Sequence, residues 1–406
     1  MQTTTEPQAA AAGALDGLRV LDLSRHLAGP FAAMTLGDLG ADVLKIEPPG
    51  RGDDTRGFPP FWGDTGESCY FLSANRNKRS MTLNLGSAEG QALLRQMVVD
   101  ADVLLENFRP GTMDKWGLGP DELLALNPRL VYCKISAVGN EGPDKDRSGV
   151  DLLMQAYAGL MSITGEAGRA PVRVGTSVVD LTCGANAVQG ILAALLVRER
   201  SGRGQLVESS LLEGQISWLT YHAVSYFASG DVPERLGSGH ASVAPYGAYP
   251  TQDGFLVIAV ATDALWKRFC TALGQEQLIE HPELRTNPQR CANRELMDAL
   301  LLPVLATERA AVWAERMDAA GVPCSPVQSL DTVLNLPQAH HREMIVDVPH
   351  PTVEQLRLPG IAVKLAATPG SIRRPPPRLG EHTSEVLREL GYDAERIAAA
   401  VSSGTV

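Results

Sequence analysis

Residues 18–47 read LRVLDLSRHLAGPFAAMTLGDLGADVLKIE, and they give the first indication of the fold class. The apolar runs at the two ends, 18–23 and 41–47, have the length and composition of buried strands. The small-residue segment between them, 28–40, favours a helix. A strand, a helix and a second strand in this order predict a right-handed βαβ unit with parallel strands.

The same alternation continues along the chain. Further strands are predicted at 81–85, 102–106 and 130–136, with helices at 88–99 and 120–126 between them. We therefore predict an α/β fold whose large domain holds a doubly wound, mainly parallel, Rossmann-like sheet. Ligands in such folds bind at the carboxyl ends of the strands.

A change in composition marks a second domain. At 406 residues the chain is longer than one core usually supports, and residues 228–254 are rich in Gly, Pro and Ser. A strand at 255–260 and helices at 263–273, 293–305 and 309–320 follow. We predict a large domain at 1–227, a smaller α+β domain at 228–330, and a segment at 331–406 that returns to the first domain. That segment holds a hairpin at 344–359 and a final helix from 383.

Charge and composition exclude several classes of protein. The formal net charge of −11 argues against general affinity for nucleic acid or acidic membranes. No apolar run is long enough to cross a bilayer, and the first residues lack the pattern of a secretory signal. The six cysteines show no metal-type spacing, so we expect reduced core thiols, a cytoplasmic location and no metal site.

The usual nucleotide and hydrolase motifs are missing from the sequence. The turn after Leu23 reads SRHLAGPFAAM, with one glycine and no G-x-G-x-x-G spacing. An NAD(P)-dependent oxidoreductase is therefore disfavoured. The sequence also contains no P-loop and no G-x-S-x-G nucleophile turn.

A second informative stretch, 172–200, reads VRVGTSVVDLTCGANAVQGILAALLVRER. A buried helix is predicted from about Leu181, with a cationic end at 198–200. Asp180 then lies where the helix begins, and there the helix dipole favours its ionised form. Two interpretations stay open at this point: an aspartate that caps the helix, and a carboxylate kept ionised as a nucleophile in a mostly apolar pocket.

Several separated motifs resemble those of one enzyme family, the class III (CaiB/BaiF, formyl-CoA transferase) coenzyme A transferases. Besides 15–56 and the Asp180 stretch, they are NRNKRSMTLNL (75–85), DVLLENFRPGTMDKWGLG (102–119), GVPCSPVQSL (321–330) and RPPPRLGEHTSEVLRELGY (374–392). Within the family, GSGHASVAPYGAYPTQDG (237–254) and VPHPTVEQLRLPG (348–360) resemble the succinate–hydroxymethylglutarate (glutarate) CoA-transferase branch.

The resemblance implies an interlocked-ring homodimer whose active site lies between domains. It makes Asp180 the catalytic nucleophile, which forms an aspartyl anhydride and then an aspartyl-CoA thioester. The implied reaction moves CoA from an acyl-CoA donor, succinyl-CoA in that branch, to a short dicarboxylic acid. Coenzyme A thioesters are then substrates, and no permanently bound cofactor is expected.

The resemblance also implies binding residues. The positions for CoA fall on Leu27, Ala28, Leu83, Asn107, Phe108 and Lys115. For Leu27, Leu83 and Phe108 the alternative is plain core packing. Arg76, Lys78 and Arg79 form a basic cluster that either meets phosphate or belongs to a solvated turn. Candidates to pair the second carboxylate of the acceptor are Arg147, Arg173, Arg235 and His240.

The chain departs from its relatives at three places. Gly237-Ser238-Gly239 is shorter than the glycine run of the formyl-CoA enzymes, and Pro48 replaces an arginine of that branch. Where family racemases have a histidine followed by an aspartate, this chain has Val150-Asp151, which removes one base of a two-base proton transfer. A racemase-like enzyme or CoA-ester lyase and a non-catalytic CoA-binding protein stay as alternatives.

Overall fold

The computed structural model describes residues 12–406, which form two compact units. The first comprises 12–158, 175–220 and 337–406, and the second comprises 159–174 and 221–336. These bounds differ from the predicted division at 227 and 330, chiefly because 159–174 groups with the second unit. Arg235 explains this, since its guanidinium donates to the carbonyl oxygen of Arg169 at 2.7 Å.

The strands and helices follow one another along the whole described chain. The strands are β1 (Arg19–Asp22), β2 (Asp42–Glu47), β3 (Lys78–Thr82), β4 (Val103–Glu106), β5 (Val131–Ser136), β6 (Leu206–Ser210), β7 (Tyr246–Pro250), β8 (Phe255–Ala259), β9 (Cys324–Pro326), β10 (Ile345–Val348) and β11 (Leu356–Pro359). The helices are α1 (Ala28–Asp38), α2 (Cys69–Ser73), α3 (Ala88–Val98), α4 (Thr112–Lys115), α5 (Pro120–Leu126), α6 (Asp151–Tyr157), α7 (Leu160–Ile163), α8 (Val178–Ser201), α9 (Leu211–Ser217), α10 (Thr220–Ser229), α11 (Asp263–Ala272), α12 (Asn287–Ala292), α13 (Arg294–Leu305), α14 (Ala310–Ala319), α15 (Leu330–Leu334), α16 (Pro337–His341), α17 (Thr383–Glu389) and α18 (Ala394–Ser402).

The first unit is built on a six-stranded parallel sheet in the order β3-β2-β1-β4-β5-β6. The predicted α/β class and parallel sheet are confirmed. Successive residues point to opposite faces, so Val20 packs in the core layer that contains α1 and α8, and Leu21 packs in the layer that contains α3 and α17. The strand order reverses between β1 and β4, and this switch point is where such folds bind ligands.

Strand β3 begins three residues earlier than the apolar pattern predicts. It runs from Lys78 to Thr82 instead of 81–85, and its register places Lys78 beside Val43 of β2. The polar residues enter the sheet because buried carboxylates pair with them. Strand β6 is an addition that the sequence reading did not predict.

The basic cluster is neither a phosphate site nor a solvated turn, so both interpretations of it are wrong. All three side chains are buried and each is neutralised by an acidic partner within the first unit. The shortest contacts of these ion pairs are Arg76–Asp38 at 2.7 Å, Lys78–Asp22 at 2.9 Å and Arg79–Glu389 at 2.7 Å.

The C-terminal segment covers the outer strand β3. The backbone N–H of Asn77 donates to the carbonyl oxygen of Arg374 at 3.0 Å. The N–H of His382 donates to the oxygen of Ser80 at 2.9 Å, and the N–H of Thr82 donates to the Thr383 hydroxyl at 3.0 Å. The segment thus occupies hydrogen-bonding groups that an edge strand would expose. The hairpin predicted upstream of it is present as the antiparallel pair β10–β11.

The 24-residue helix α8 lies in the core of the first unit. It begins at Val178, three residues before the predicted start, and its apolar residues pack against the sheet together with α1. An 18-residue window of the helix has a mean hydropathy of 1.5, which by length and composition alone suffices to cross a membrane. Half of that window is buried inside the protein, and core helices commonly meet the same criterion, so this is weak evidence for a membrane span.

The second unit has its own sheet and core. Strands β7, β8 and β9 form a three-stranded antiparallel sheet. Helices α11, α13 and α14 supply the large buried side chains Trp266, Phe269, Leu301 and Trp313, which form one cluster with Ile258 of the sheet. The unit is therefore held by an apolar core of its own.

Gly184 sets how closely α8 approaches α1. A Cβ atom built at this position would lie 2.5 Å from the carbonyl oxygen of Ala28, well inside van der Waals contact. Glycine is therefore required by space, and any side chain would push the two helices apart.

We expect Gly184→Ala to lower the free energy of unfolding. The added methyl group overpacks the α1–α8 contact at a cost of about 1–3 kcal/mol, and the better helix propensity of alanine offsets this by up to about 1 kcal/mol. Denaturant unfolding measures the effect. Gly175→Ala is the matched control, because nothing lies within 4 Å of a Cβ atom there. Equal stability of the two variants would contradict the steric argument.

Candidate active site

Asn107 joins β1 to β4 at the switch point. Its side-chain oxygen accepts from the backbone N–H of Arg25 at 2.9 Å, and its amide nitrogen donates to the Arg25 carbonyl oxygen at 2.9 Å. The Arg25 guanidinium lies 5.4 Å from the centroid of the Phe108 ring, which packs edge-on against Trp116. The carboxyl ends of both strands are thereby fixed together.

The buried carboxyl group of Glu106 supports the turn that carries Asn107 and Phe108. It accepts from the backbone N–H of Phe108 at 2.7 Å. Burial raises the pKa of Glu106 to about 7, although that hydrogen bond opposes the shift.

The turn from β1 into α1 has an unusual backbone. His26 has a φ of 65°, which only a few per cent of residues other than glycine adopt, and its N–H donates to Asp53 at 3.3 Å. Leu27 is the N-cap residue of α1, and no side chain caps the helix there. The start of α1 therefore presents backbone N–H groups and the positive end of the helix dipole at the switch point.

Two buried ammonium–carboxylate pairs hold this turn from below. Lys45 lies 3.0 Å from Asp53 and also donates to the carbonyl oxygen of Ser24 at 2.9 Å. Lys78 donates to Asp22 at 2.9 Å and to the Pro30 carbonyl oxygen of α1 at 2.9 Å. The pKa of Lys78 falls to about 8, because burial outweighs its carboxylate partner.

Asp180 is the third residue of α8 and does not cap the helix. The N-cap residue is Ser177, so the capping interpretation of Asp180 is wrong. The N–H of Val179 in this first turn donates to the Asp151 carboxylate of α6 at 2.9 Å. Asp151, which lies 28 residues earlier in the chain, therefore caps the helix.

The Asp180 carboxyl group is part-buried, and within residues 12–406 no group donates a hydrogen bond to it. Burial, followed by the charge of the Asp151 carboxylate, raises the pKa of Asp180 to about 7. The sequence-based expectation that the helix dipole favours the ionised form is therefore outweighed. Near neutral pH the free side chain is a mixture of acid and carboxylate.

Tyr70 of α2 faces the same carboxyl groups. Burial and then the charges of Asp180, Asp151 and Asp53 raise the pKa of its hydroxyl, while a hydrogen bond with Ser177 lowers it. The phenol therefore stays protonated and able to donate. Phe58 packs edge-on against its ring, with the ring centroids 5.8 Å apart.

The α1–α8 contact brings Asp180 to the start of α1. Gly184, which packs against Ala28, lies one helical turn beyond Asp180 on the same face of α8. Asp180 therefore lies one helical turn, about 6 Å along α8, from the contact with Ala28 at the start of α1. A carboxyl group that has no donor among residues 12–406 thus lies one turn from the contact with α1, whose start has no side-chain cap.

This arrangement agrees with what comparisons with known proteins find. The family model described as CoA-transferase family III matches residues 15–383. The chain belongs to CoA-transferase family III.

The relatives cover nearly the whole of this CoA-transferase. It is 41% identical over 403 residues to an acyl-CoA transferase of Fusarium pseudograminearum, covering 97% of this chain and 88% of that protein. It is 39% identical over 393 residues to the succinyl-CoA:glutarate CoA-transferase of Mus musculus, which covers 97% of this chain and 90% of that protein. The crystal structure of a CAIB/BAIF family protein from Brucella suis matches with a TM-score of 0.84 at 36% identity. The match covers 93% of this chain and 100% of that protein. The resemblance drawn from the motifs is confirmed.

The other predicted CoA positions of the transferase have different surroundings. Ala28 and Leu83 are only 5% and 2% exposed, so their side chains belong to the core and only their backbone faces the strand ends. Leu27 and Phe108 are part-buried, and Lys115 is exposed at the end of α4. All of these residues belong to the first unit, as Asp180 does.

The predicted cations of the acceptor site are divided between the two units. Arg147 is exposed in the first unit and stacks on the Tyr157 ring at 4.0 Å. Arg173, Arg235 and His240 belong to the second unit, where Arg173 is exposed and Arg235 is bound to backbone carbonyl oxygens. His240 packs between the rings of Tyr221 and Tyr246. Within residues 12–406, no group of three or more His, Cys, Asp or Glu side chains is arranged to hold a metal ion.

Sequence reasoning missed three residues of the transferase site: Arg25, Tyr70 and Asp151. Arg25 was within the quoted βαβ stretch, and its charge next to a strand end was a usable signal. Tyr70 lies 110 residues before Asp180, and nothing in its local sequence indicates that the two meet. The sequence marks Asp151 only through the valine before it, although a buried helix without a local cap needs a distant acceptor.

We expect Asp180→Asn to stabilise the protein more at pH 8 than at pH 5. A carboxyl group whose pKa is raised on folding binds its proton more tightly in the folded state, so its stabilising contribution is present at low pH and is lost as pH rises toward 7. Removing the charge should raise the free energy of unfolding at pH 8 by on the order of 2 kcal/mol. This is less than the full pKa shift implies, because the group is partly solvated. Melting temperatures at both pH values measure it, with the exposed Asp64→Asn as control. An equal effect at the two pH values would contradict the raised pKa.

Proposed function

We propose that this CoA-transferase moves coenzyme A from succinyl-CoA to a short dicarboxylic acid, with Asp180 as the nucleophile. The observation that supports this best is the Asp180 carboxyl group, which has no donor among residues 12–406 and stands beside the uncapped start of α1. A capping or structural aspartate would be held by hydrogen bonds. The name of the mouse relative, succinyl-CoA:glutarate CoA-transferase, supports the choice of donor and acceptor class.

The exchange follows from carboxylate chemistry. A carboxylate oxygen of Asp180 attacks the thioester carbonyl, the C–S bond breaks, and a mixed anhydride forms with free CoA thiolate. The thiolate then attacks the aspartyl carbonyl, which releases the donor acid and leaves an aspartyl-CoA thioester. The acceptor carboxylate attacks the carbonyl of that thioester, the C–S bond breaks, and a second mixed anhydride forms. The released thiolate attacks the acceptor carbonyl of this anhydride, which gives the new acyl-CoA and frees the Asp180 carboxylate. No ATP is required, because the activation of the acyl group is kept in each covalent bond.

Three features of the site suit this chemistry. Tetrahedral oxyanions form in every step, and the backbone N–H groups at the start of α1 are donors of the kind that stabilise them. The Tyr70 hydroxyl, which stays protonated, is a further donor next to Asp180. The part-buried position of Asp180 gives a carboxylate of high basicity, which improves it as a nucleophile once it is ionised.

For CoA we propose the edge formed by β1, β3 and β4. The start of α1 at Leu27 and Ala28, the backbone after β3 at Leu83, and the turn at Asn107 and Phe108 form its walls. Lys115 supplies a cation that is free to reach the nucleotide phosphates, since its side chain is exposed and forms no ion pair within 12–406. These groups lie at carboxyl ends of strands, in the loops that follow, or in the first helical turn after such a loop.

Exchange of labelled CoA tests the proposal. With succinyl-CoA and a panel of short dicarboxylic acids, the wild-type enzyme should transfer label, and Asp180→Ala should reduce exchange by at least about 10³-fold, since the nucleophile is gone. Hydroxylamine or borohydride should trap an adduct that mass spectrometry assigns to Asp180. An alanine variant with full activity, or an adduct on another residue, would refute the role of Asp180.

The second carboxylate of the acceptor needs a cation, because an unpaired buried charge is costly. Arg25 joins the earlier candidates Arg147, Arg173, Arg235 and His240, since it stands at the switch point with no carboxylate within ion-pairing distance in the described chain.

We expect replacement of the true pairing arginine by methionine to raise the KM for diacids about tenfold to hundredfold, with little change for monoacids. Steady-state kinetics on Arg25→Met, Arg147→Met, Arg173→Met and Arg235→Met measure it. Arg203→Met, an exposed arginine just beyond α8, is the control. If a variant raises the KM for diacids and for monoacids equally, the arginine that it replaces is not the pairing residue.

We further infer a homodimer in the cytoplasm. The second unit exposes large apolar side chains along α10 and just after it, where Phe227 is 80% and Val232 is 74% exposed. A second copy of the chain is the occupant that the family resemblance gives for such a surface. The cysteines are all free thiols, which agrees with a reducing compartment.

The alternatives are weaker. Val150 precedes Asp151 and offers no base for the second half of a racemase reaction. A protein that only binds CoA would have no use for a carboxyl group of raised pKa without a hydrogen-bond partner at the binding edge.

A further inference from the structure

Asp151 is a buried carboxylate that no cation neutralises among residues 12–406. It begins α6 and is only 7% exposed. One oxygen accepts the backbone N–H of Val179 at 2.9 Å, and the other accepts the side-chain amide of Gln155 at 2.6 Å. Burying a carboxylate without a cation is unfavourable, and two hydrogen bonds offset this only in part.

The Val179 hydrogen bond puts this charge next to the nucleophile. Val179 directly precedes Asp180 in the first turn of α8, so the carboxylate that caps the turn also faces Asp180. Tyr70 from α2 and Cys183 from the same helix are the other titratable groups whose charges interact with Asp180. Glu213 of α9 acts on Cys183. Burial keeps the tyrosine and the cysteine uncharged near neutral pH, so Asp151 is the close negative charge.

We propose that Asp151 is a positioning residue that fixes the first turn of the nucleophile helix and, by its negative charge, drives Asp180 toward its covalent, uncharged states. The proposal rests on the nucleophilic role of Asp180 given above. In the free enzyme two carboxylates repel each other across the helix start. In the anhydride and in the aspartyl-CoA thioester, Asp180 carries no charge and the repulsion is gone.

The bond changes in the acylation step show where the repulsion acts. The Asp180 oxygen forms a C–O bond with the thioester carbonyl carbon, the C–S bond breaks, and the electron pair leaves with the CoA sulfur. Negative charge therefore moves from Asp180, next to Asp151, to a thiolate. The cost of holding two anions together in the ground state is released as the nucleophile is consumed.

Asp151→Asn is the decisive variant, because an amide oxygen still accepts the Val179 N–H while the charge is removed. We expect the acid limb of the kcat/KM profile to move at least about one pH unit lower. We also expect the fraction of enzyme trapped as an Asp180 adduct at saturating succinyl-CoA to fall about tenfold. Asp100→Asn is the matched control, since it removes one exposed carboxylate at the end of α3, away from Asp180.

Asp151→Glu separates charge from geometry and serves if the asparagine variant does not fold. The charge is kept but displaced, so kcat should fall while the acid limb stays within about 0.3 pH units of wild type. The proposal would be overturned if Asp151→Asn had the same acid limb and the same adduct fraction as wild type. It would also be overturned if the acid limb of Asp151→Glu moved about one pH unit lower, as expected for removal of the charge. If wild-type enzyme forms no adduct on Asp180 at all, the proposed function fails instead.

Discussion

Two buried ammonium groups support the ligand-binding edge of the sheet. Lys45 and Lys78 rise from neighbouring strands and hold the turn between β1 and α1 through Asp53 and Asp22. Buried pairs of this kind add little net stability, but loss of one partner leaves an uncompensated charge and costs about 3–5 kcal/mol. Their contribution is to position: they fix the strained His26 backbone and leave the start of α1 facing the site.

The proposed nucleophile, Asp180, depends on that turn from the side of α8. Because Gly184 lets α8 touch Ala28, the first turn of α8 lies close to the start of α1, and the Asp180 carboxyl group there has no hydrogen-bond donor among residues 12–406. Asp151 takes over the capping that a local side chain provides in most helices. The proposed reactive group is thus held by backbone packing and by a carboxylate distant in sequence, and within residues 12–406 its own oxygens accept no hydrogen bond.

The βαβ order, the parallel sheet and the central helix could be predicted because apolar periodicity follows from burial. Strand β3 could not, since Lys78, Arg79 and Ser80 read as a surface turn until their acidic partners are known. The catalytic role proposed for Asp180 comes from the resemblance carried by several separated motifs. Its local sequence alone does not decide between a helix cap and a nucleophile. Tyr70 and Asp151 meet it only through tertiary packing, which no local pattern encodes. Leu83, a binding position that the resemblance implies, has its side chain in the core, so only its backbone can face a ligand.

The C-terminal segment that hydrogen-bonds to β3 has a consequence for folding during synthesis. The residues that satisfy this outer strand, such as His382 and Thr383, are made about 300 residues after it, once the whole second unit has been synthesised. Until then the sheet has an open side with strand hydrogen-bonding groups facing water, a state prone to pairing with other chains. The first unit can therefore complete its outer strand only after residue 383 has been synthesised, which makes this part of its folding a long-range event.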